Sequence, residues 1–164
     1  MITKNQTNSS PVAWEQRYQE IHEEMRAAVG DLALAIVHIG NTSFPCLLSS
    51  PAIDVMVGVS SMEVADMCVE RLAPLGFKAL DEGGGPDQRF LKRSSKDSQN
   101  VRVHIVERSG EFWSEQLLFR NFLREHRDKA LEYAHLTKRL DVEDDPQAKA
   151  DFVAEVLRQA RSVE

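Results

Sequence analysis

A single aspartate interrupts a short apolar run near the middle of this chain. Asp54 lies within residues 52–57 (Ala-Ile-Asp-Val-Met-Val), whose other side chains are all apolar. Alternation along a strand places Asp54 and Met56 on one face and the branched aliphatic residues on the other. Burying an unpaired carboxylate costs several kcal/mol, so Asp54 must be hydrogen-bonded, ion-paired or bound to a metal. The run therefore predicts a buried strand that carries one polar site.

A second apolar run, residues 34–39, ends at the turn Gly40-Asn41-Thr42-Ser43. Glycine accepts positive φ and leaves backbone amides exposed, and the Thr and Ser hydroxyls add further donors. Such a turn suits a phosphate or another anion, so Gly40, Asn41, Thr42 and Ser43 are candidate ligand-binding residues. The alternative is an ordinary turn, because glycine followed by polar residues is common in turns.

The periodicity of the rest of the chain predicts an α+β fold. Apolar residues at helical spacing predict a first helix that ends at Gly30 and another after residue 60. The predicted strands are residues 34–39, 53–57, 77–80, 88–93 and 101–106. An acidic, glycine-rich loop is predicted at residues 81–87, and two to three helices follow residue 109, with breaks near His126 and Pro146. We expect one domain over residues 11–164, preceded by a flexible lead-in at residues 1–10.

Composition and charge exclude some classes of partner. The chain has 164 residues, 42% of them hydrophobic, and a net charge of −6. This charge argues against broad binding to nucleic acid or anionic membranes, and no segment approaches the ~20 apolar residues of a membrane span. Cys46 and Cys68 fit no metal-binding pattern and are typical of reduced thiols. We expect a cytoplasmic protein that binds neither nucleic acid nor membrane, and the sequence indicates no oligomeric state.

Motifs along most of the chain resemble the GrpB family, also called UPF0157. His-Ile-Gly-Asn-Thr-Ser-Phe-Pro at residues 38–45 and Pro-Ala-Ile-Asp at residues 51–54 are similar to the family's H-I-G-S-T-S-V-P-G-L and K-P-x-I-D. The family's H-x-H-V-V strand and its F-R-D-Y-L-R, Y-x-x-L-K and E-A-K-x-x-F helices resemble residues 103–106, 119–124, 133–138 and 148–152. The resemblance covers residues 14–160 with nearly collinear spacing.

This resemblance implies a nucleotidyltransferase-like fold. The implied architecture is a mixed sheet of about five strands with an N-terminal helix, one inserted helix and two to three C-terminal helices. A similar domain is fused to some bacterial dephospho-CoA kinases. In this fold a Gly-Ser turn holds a triphosphate and a strand aspartate holds Mg²⁺, which neutralises charge building on the phosphates. The resemblance thus implies a phosphate-binding role for Gly40 and Ser43, and a metal-binding and catalytic role for Asp54.

Several positions depart from the implied pattern. Active nucleotidyltransferases carry a second carboxylate two residues after the first, and here that position is Met56. This chain has Asn41 where the family motif has Ser, Cys46 where it has Gly, and Ser50 where it has Lys. The loss of the lysine at position 50 removes a phosphate partner. One carboxylate makes a poor two-metal site. Two hypotheses follow. The first is a domain with a nucleotidyltransferase-like fold that binds a small molecule in a pocket around Asp54 or acts as a transferase. The second is a non-catalytic interaction or regulatory module that keeps the fold without a working metal site.

A set of cationic or imidazole side chains lies at positions that match family motifs: Arg89, Arg102, His104, Arg120, Arg124 and Lys138. If they converge around Asp54, they favour an anionic small molecule through charge-assisted hydrogen bonds. The resemblance points to a nucleotide or a CoA precursor, with Mg²⁺ as the cofactor. The alternative is a set of exposed charges in surface ion pairs. A third hypothesis is that the Cys46 thiol is a reactive group. The alternative is that Cys46 is a small packed side chain without chemistry.

Overall fold

Five helices and a five-stranded mixed sheet make up the computed structural model, which describes residues 11–40, 42–44, 52–94, 100–140, 143 and 145–163. The helices are α1 (Pro11–Val29), α2 (Met62–Leu72), α3 (Glu111–Glu125), α4 (Arg127–Leu140) and α5 (Pro146–Ser162). The strands are β1 (Ala35–Ile39), β2 (Ala52–Val59), β3 (Lys78–Gly85), β4 (Gln88–Arg93) and β5 (Asn100–Glu107). The predicted lead-in, Asn41, Cys46 and Ser50 lie outside the described residues.

The sheet has the strand order β1-β2-β5-β4-β3. Only the central pair, β2 and β5, is parallel, and the other three pairs are antiparallel. β2 is buried along its whole length because it has a strand on each side and helices over both faces. This position explains why residues 52–57 are almost continuously apolar.

One face of the sheet is covered by α1 and α2. Apolar side chains recur along α1 at Trp14, Tyr18, Ile21 and Met25, and they pack with the β2 and β5 side chains that point to this face. In α2, the Ser61 hydroxyl accepts a hydrogen bond from the Val64 amide and caps the helix. This layer contains the larger apolar cluster among the described residues.

The opposite face of the sheet is covered by α3, with α4 and α5 packed behind it. Trp113 of α3 lies against Met56, Ile39 and Val106. A separate apolar cluster joins α3, α4 and α5 around Phe122 and Tyr133 and includes Phe44 from the segment after β1. Asp54, Arg102 and His104 lie on this same face of the sheet.

The α+β class and the order of helices and strands agree with the sequence-based prediction. The break at His126 and the start of the last helix at Pro146 are confirmed. The third strand is longer than predicted, because β3 continues to Gly85 through most of the segment expected to be a loop. Pairing of Gly85 with Gln88 across a two-residue turn extends the β3–β4 hairpin, despite a register shift after Leu80.

Candidate functional site

Asp54 is ion-paired with Arg102 from the neighbouring parallel strand. The β2–β5 register sets Asp54 beside Arg102 and Met56 beside His104, all on the face that α3 covers in part. The guanidinium of Arg102 donates from Nε to Oδ1 at 2.7 Å and from Nη2 to Oδ2 at 2.8 Å. This two-point contact satisfies both carboxylate oxygens and is the strongest geometry for such a pair.

The Asp54 carboxyl is held ionised although its side chain is only 9% exposed. Burial by itself raises the pKa of Asp54, but His104 and Arg102 outweigh burial and hold the pKa below its usual value. The His104 Nε2 atom lies 3.7 Å from Oδ1, farther than the Arg102 nitrogens. Asp54 is therefore a buried anion whose charge is balanced locally.

His104 is oriented by neighbours on the same face of the sheet. Its Nδ1 atom lies 2.9 Å from Nε2 of Gln88 on β4. Its ring is near two aromatic rings, with centroid distances of 5.0 Å to Phe90 and 6.0 Å to Phe112. These contacts turn the Nε2 atom of His104 toward Asp54.

The turn after β1 packs directly on Asp54. Gly40 has φ +75°, and a Cβ atom built there would lie 2.4 Å from Oδ2 of Asp54. No larger residue fits this position without displacing the carboxylate, which gives a physical reason for the glycine. Two features of this position therefore require glycine: the left-handed backbone and the close approach to the Asp54 carboxylate.

Both hydroxyls of this turn have partners nearby, one in the turn itself and one in β1. The Ser43 amide and hydroxyl donate to the Gly40 carbonyl at 3.0 Å and 2.5 Å. The Thr42 hydroxyl lies 2.6 Å from Nε2 of His38, and both side chains are buried. Thr42 and Ser43 therefore stabilise the turn, and their predicted role as donors to a ligand stays a prediction.

Two arginines of α3 hold the same turn from the other side. Nη1 of Arg120 donates to the His38 carbonyl at 3.0 Å, and Nε of Arg124 donates to the Ser43 carbonyl at 2.6 Å. Burial, followed by repulsion from Arg124, lowers the pKa of Arg120. The two guanidinium groups bind backbone oxygens at the start and the end of the turn.

A cleft of about 360 Å³ opens between the sheet and the helices α3, α4 and α5. Its floor is formed by residues of the sheet and the turn, namely Ile39, Gly40, Asp54, Phe90, Arg102 and His104. The helices contribute aromatic rings, polar groups and aliphatic side chains, namely Phe112, Glu115, Gln116, Phe119, Tyr133, Lys149, Val153 and Leu157. The volume falls in the range of small-molecule pockets.

The two acidic side chains that line the cleft are both ion-paired. Asp54 is paired with Arg102, and Glu115 accepts from Arg161 at 3.0 Å. Lys149, which also lines the cleft, is exposed and has no ion-pair partner among the described residues. Since both acidic groups are already paired, the ammonium group of Lys149 is free to contact an anion.

The predicted site residues lie in four different places. Arg102, His104, Gly40 and Asp54 line the cleft, and Arg120 and Arg124 hold its turn. Arg89 pairs with Asp66 of α2 at 2.7 Å on the opposite face of the sheet. Lys138 is exposed on α4 and does not line the cleft.

Several residues that line or border the cleft were not predicted from the sequence. Gln88 and Phe90 are two residues apart on β4, so they point to the same face of the sheet as His104. Only the β4–β5 register shows that they are neighbours of His104. Phe112 and Phe119 of α3 also line the cleft, and neither was a candidate ligand-binding residue. Lys149 lies within the motif at residues 148–152, so the resemblance was the signal that could have identified it.

The residues present do not fit a divalent metal ion. Both oxygens of Asp54 are bonded to Arg102, and fully buried Met56 occupies the position of a second carboxylate. Over the described part of the chain, no group of three or more His, Cys, Asp or Glu side chains could hold an ion. Mg²⁺ usually needs at least one free carboxylate, so the implied metal has no prepared ligand set here.

Comparison with known proteins identifies the family. The family model described as GrpB protein matches residues 8–159. The chain belongs to the GrpB family. The UPF0157 protein YqkA of Bacillus subtilis is 32% identical over 127 residues, which are 77% of this chain but 37% of YqkA. The chain thus spans little more than a third of that relative.

Solved structures agree with the family and with the fold. A crystal structure of conserved protein GrpB from Enterococcus faecalis has a TM-score of 0.75 and 27% identity, and the match covers 90% of this chain and 92% of that one. The Cid1 poly(U) polymerase with MgGTP bound has a TM-score of 0.55 and 13% identity, covering 78% of this chain and 42% of that one. The second likeness shows a nucleotidyltransferase-like fold and nothing about activity.

Among the described residues, no helix is both long and apolar enough to cross a membrane.

Proposed function

We propose that this GrpB-family domain binds a small anionic molecule, of nucleotide or CoA-precursor type, in the cleft beside Asp54. The observation that carries the proposal is the position of Arg102. Its guanidinium is fixed by Asp54, lies on the cleft floor, and keeps 42% of its side chain exposed. Arginine held in this way is well suited to a phosphate or a carboxylate.

The aromatic walls support a ligand that carries a planar group. Phe90, Phe112 and Phe119 line the cleft together with Tyr133. Aromatic rings stack with nucleobases because every base presents a π-face. A phosphate at Arg102 with a base toward the helices would use both kinds of surface.

The same geometry favours binding without nucleotidyl transfer. Transfer on this fold depends on metal-held charge, and the residues around Asp54 leave no position for a metal. The non-catalytic module considered from the sequence is therefore the second candidate, since Asp54 then serves as a structural acceptor. The two candidates differ in whether a small molecule enters the cleft.

The expectations for location and partners remain part of the proposal. Cys68 is buried and free, which is compatible with a reducing compartment such as the cytoplasm. The net charge of −6 argues against nucleic acid and anionic membranes as ligands. A free small molecule is the partner that the cleft can enclose.

Isothermal titration with AMP, ATP and dephospho-CoA tests the proposal. Arg102→Gln should weaken the binding of whichever anion binds by about tenfold or more, equal to about 1.4 kcal/mol. Arg89→Gln is the matched control. Arg89 is also a strand residue whose side chain pairs with an aspartate at 2.7 Å, but this pair lies outside the cleft. Absence of binding by the wild type to all three compounds would favour the second candidate, and equal loss in both variants would reject the site.

A further inference from the structure

The guanidinium of Arg102 occupies the place on Asp54 that a metal ion would need. We propose that Arg102 is a built-in cation of the cleft, which excludes divalent ions from Asp54 and binds the ligand's anionic group directly. The part of the proposal that concerns the ligand rests on the proposed function. The part that concerns Asp54 rests on geometry alone.

Asp54 and His104 would otherwise be a plausible pair of metal ligands. Oδ1 of Asp54 and Nε2 of His104 are 3.7 Å apart. Oxygen and nitrogen ligands bind metals such as Zn²⁺ at roughly 2.0–2.2 Å, so two atoms at this separation can share one ion. Arg102 prevents this, because its Nε donates to the same Oδ1 atom at 2.7 Å.

Arg102 keeps donors for a ligand after it has paired with Asp54. A guanidinium has five N–H donors, and Asp54 takes two of them through Nε and Nη2. Nη1 has no acceptor among the described residues, and the side chain lines the cleft. The donors on the outer edge of the fork can therefore bind a phosphate or carboxylate oxygen.

In this arrangement Asp54 is a positioning residue and Arg102 contacts the ligand. The carboxylate is buried behind the guanidinium and fixes its plane by two hydrogen bonds. A bound anion then meets a single fixed positive charge, where a transferase would present a metal ion. The site keeps a cation beside the strand aspartate, but the cation belongs to the protein.

Titration with Mn²⁺ alone, followed by electron paramagnetic resonance, tests the exclusion of metal. Wild type and Asp54→Asn should bind Mn²⁺ equally weakly, since Asp54 is not available. Arg102→Ala should bind Mn²⁺ at least about tenfold more tightly, and the added Asp54→Asn change should remove this gain. Arg89→Ala, which frees Asp66 on the other face, is the control for loss of one arginine.

Two results would overturn the exclusion. One is Mn²⁺ binding by the wild type that Asp54→Asn abolishes. The other is an Arg102→Ala variant that folds, as judged by circular dichroism, and gains no Mn²⁺ affinity. Neither result depends on whether a nucleotide binds.

A parallel titration with AMP separates this proposal from the proposed function. Equal AMP affinity in EDTA and in Mg²⁺, lost in Arg102→Gln, is the expected result. AMP binding that requires Mg²⁺ would overturn the built-in cation and keep the proposed function. Failure of AMP, ATP and dephospho-CoA to bind under either condition would overturn the proposed function and the ligand role of Arg102, and the Mn²⁺ titration would still decide the exclusion.

Discussion

Gly40 and Asp54 meet at the narrowest point of the site. The glycine has φ +75°, and its Cα faces the carboxylate so closely that a Cβ atom would lie 2.9 Å from both Cβ and Cγ of Asp54. The carboxylate in turn cannot move away, because Arg102 holds both of its oxygens. The Gly40 backbone, the Asp54 carboxylate and the Arg102 guanidinium therefore hold one another in position.

Gly40→Ala should lower the free energy of unfolding by more than the left-handed backbone alone requires. A non-glycine residue at positive φ costs about 1–2 kcal/mol, and the clash with Asp54 adds to this cost. We expect a total loss of about 3 kcal/mol or more, measured by urea denaturation.

Gly30→Ala is the control for the backbone contribution. Gly30 has φ +54° but nothing within 4 Å of the position of a Cβ atom. This variant should lose only about 1–2 kcal/mol. Equal losses in the two variants would show that Asp54 does not restrict Gly40.

At the scale of elements, α3 organises the site. Arg120 and Arg124 lie one helical turn apart and bind the two ends of the turn after β1. Trp113, nearer the start of the helix, packs against β2. Trp113 packs so closely that a Cβ atom on Gly58 would lie 2.9 Å from its ring. The helix therefore fixes both the sheet and the turn that border the cleft.

Removing both arginines should loosen the turn without unfolding the protein. Each hydrogen bond from a charged donor contributes about 1.5–3 kcal/mol when buried, and partial exposure lowers this value. We expect Arg120→Ala/Arg124→Ala to lose about 2 kcal/mol of unfolding free energy in urea.

Arg127→Ala provides the comparison for this pair. Arg127 is exposed at the start of α4, so its removal should change stability by less than about 0.5 kcal/mol. A double variant as stable as Arg127→Ala would mean that the carbonyl contacts do not stabilise the turn.

At the scale of the whole molecule, buried His38 couples stability to pH. Its side chain is stacked on Tyr18 of α1 with ring centroids 4.4 Å apart, and its residue is 3% exposed. Burial lowers its pKa to about 4, against a smaller opposing effect of Glu15. His38 is thus neutral in the folded protein at neutral pH and joins α1, β1 and the turn.

The unfolding free energy should fall as the pH falls from 6.5 to about 4. In this window the unfolded chain binds a proton at His38 and the folded protein does not, so acid favours unfolding. The full effect of the His38 shift is about 3 kcal/mol. Asp54, whose pKa is lowered from 3.8, loses its contribution only at still lower pH.

Urea denaturation between pH 7.5 and pH 4.5 measures this dependence. His38→Gln should flatten the slope with pH, because the titrating group is gone. His135→Gln, which changes an exposed histidine of α4, should keep the wild-type slope. An unchanged slope in His38→Gln would assign the acid sensitivity to other groups.

Much of the fold was predictable because its signals are local. Alternation placed Asp54 and Met56 on one face of a strand, and the burial and contacts of β2 agree with this. The helix breaks at His126 and Pro146 were readable from short-range patterns. The motifs at residues 38–45 and 51–54 were specific enough to indicate the family.

The partner of Asp54 could not be predicted in this way. Arg89 and Arg102 look equivalent as strand arginines, yet one pairs with α2 and the other lines the cleft. The difference follows from register between strands, and Arg102 is 48 residues from Asp54 in sequence.

The sequence by itself determined the elements, the family and the need for a partner at Asp54, because periodicity and burial costs act over a few residues. Only the tertiary structure decided that this partner is Arg102, and that the Thr42 and Ser43 hydroxyls bond to His38 and to the Gly40 carbonyl. The reason is that side-chain pairing depends on how distant strands align, and no local pattern encodes that alignment.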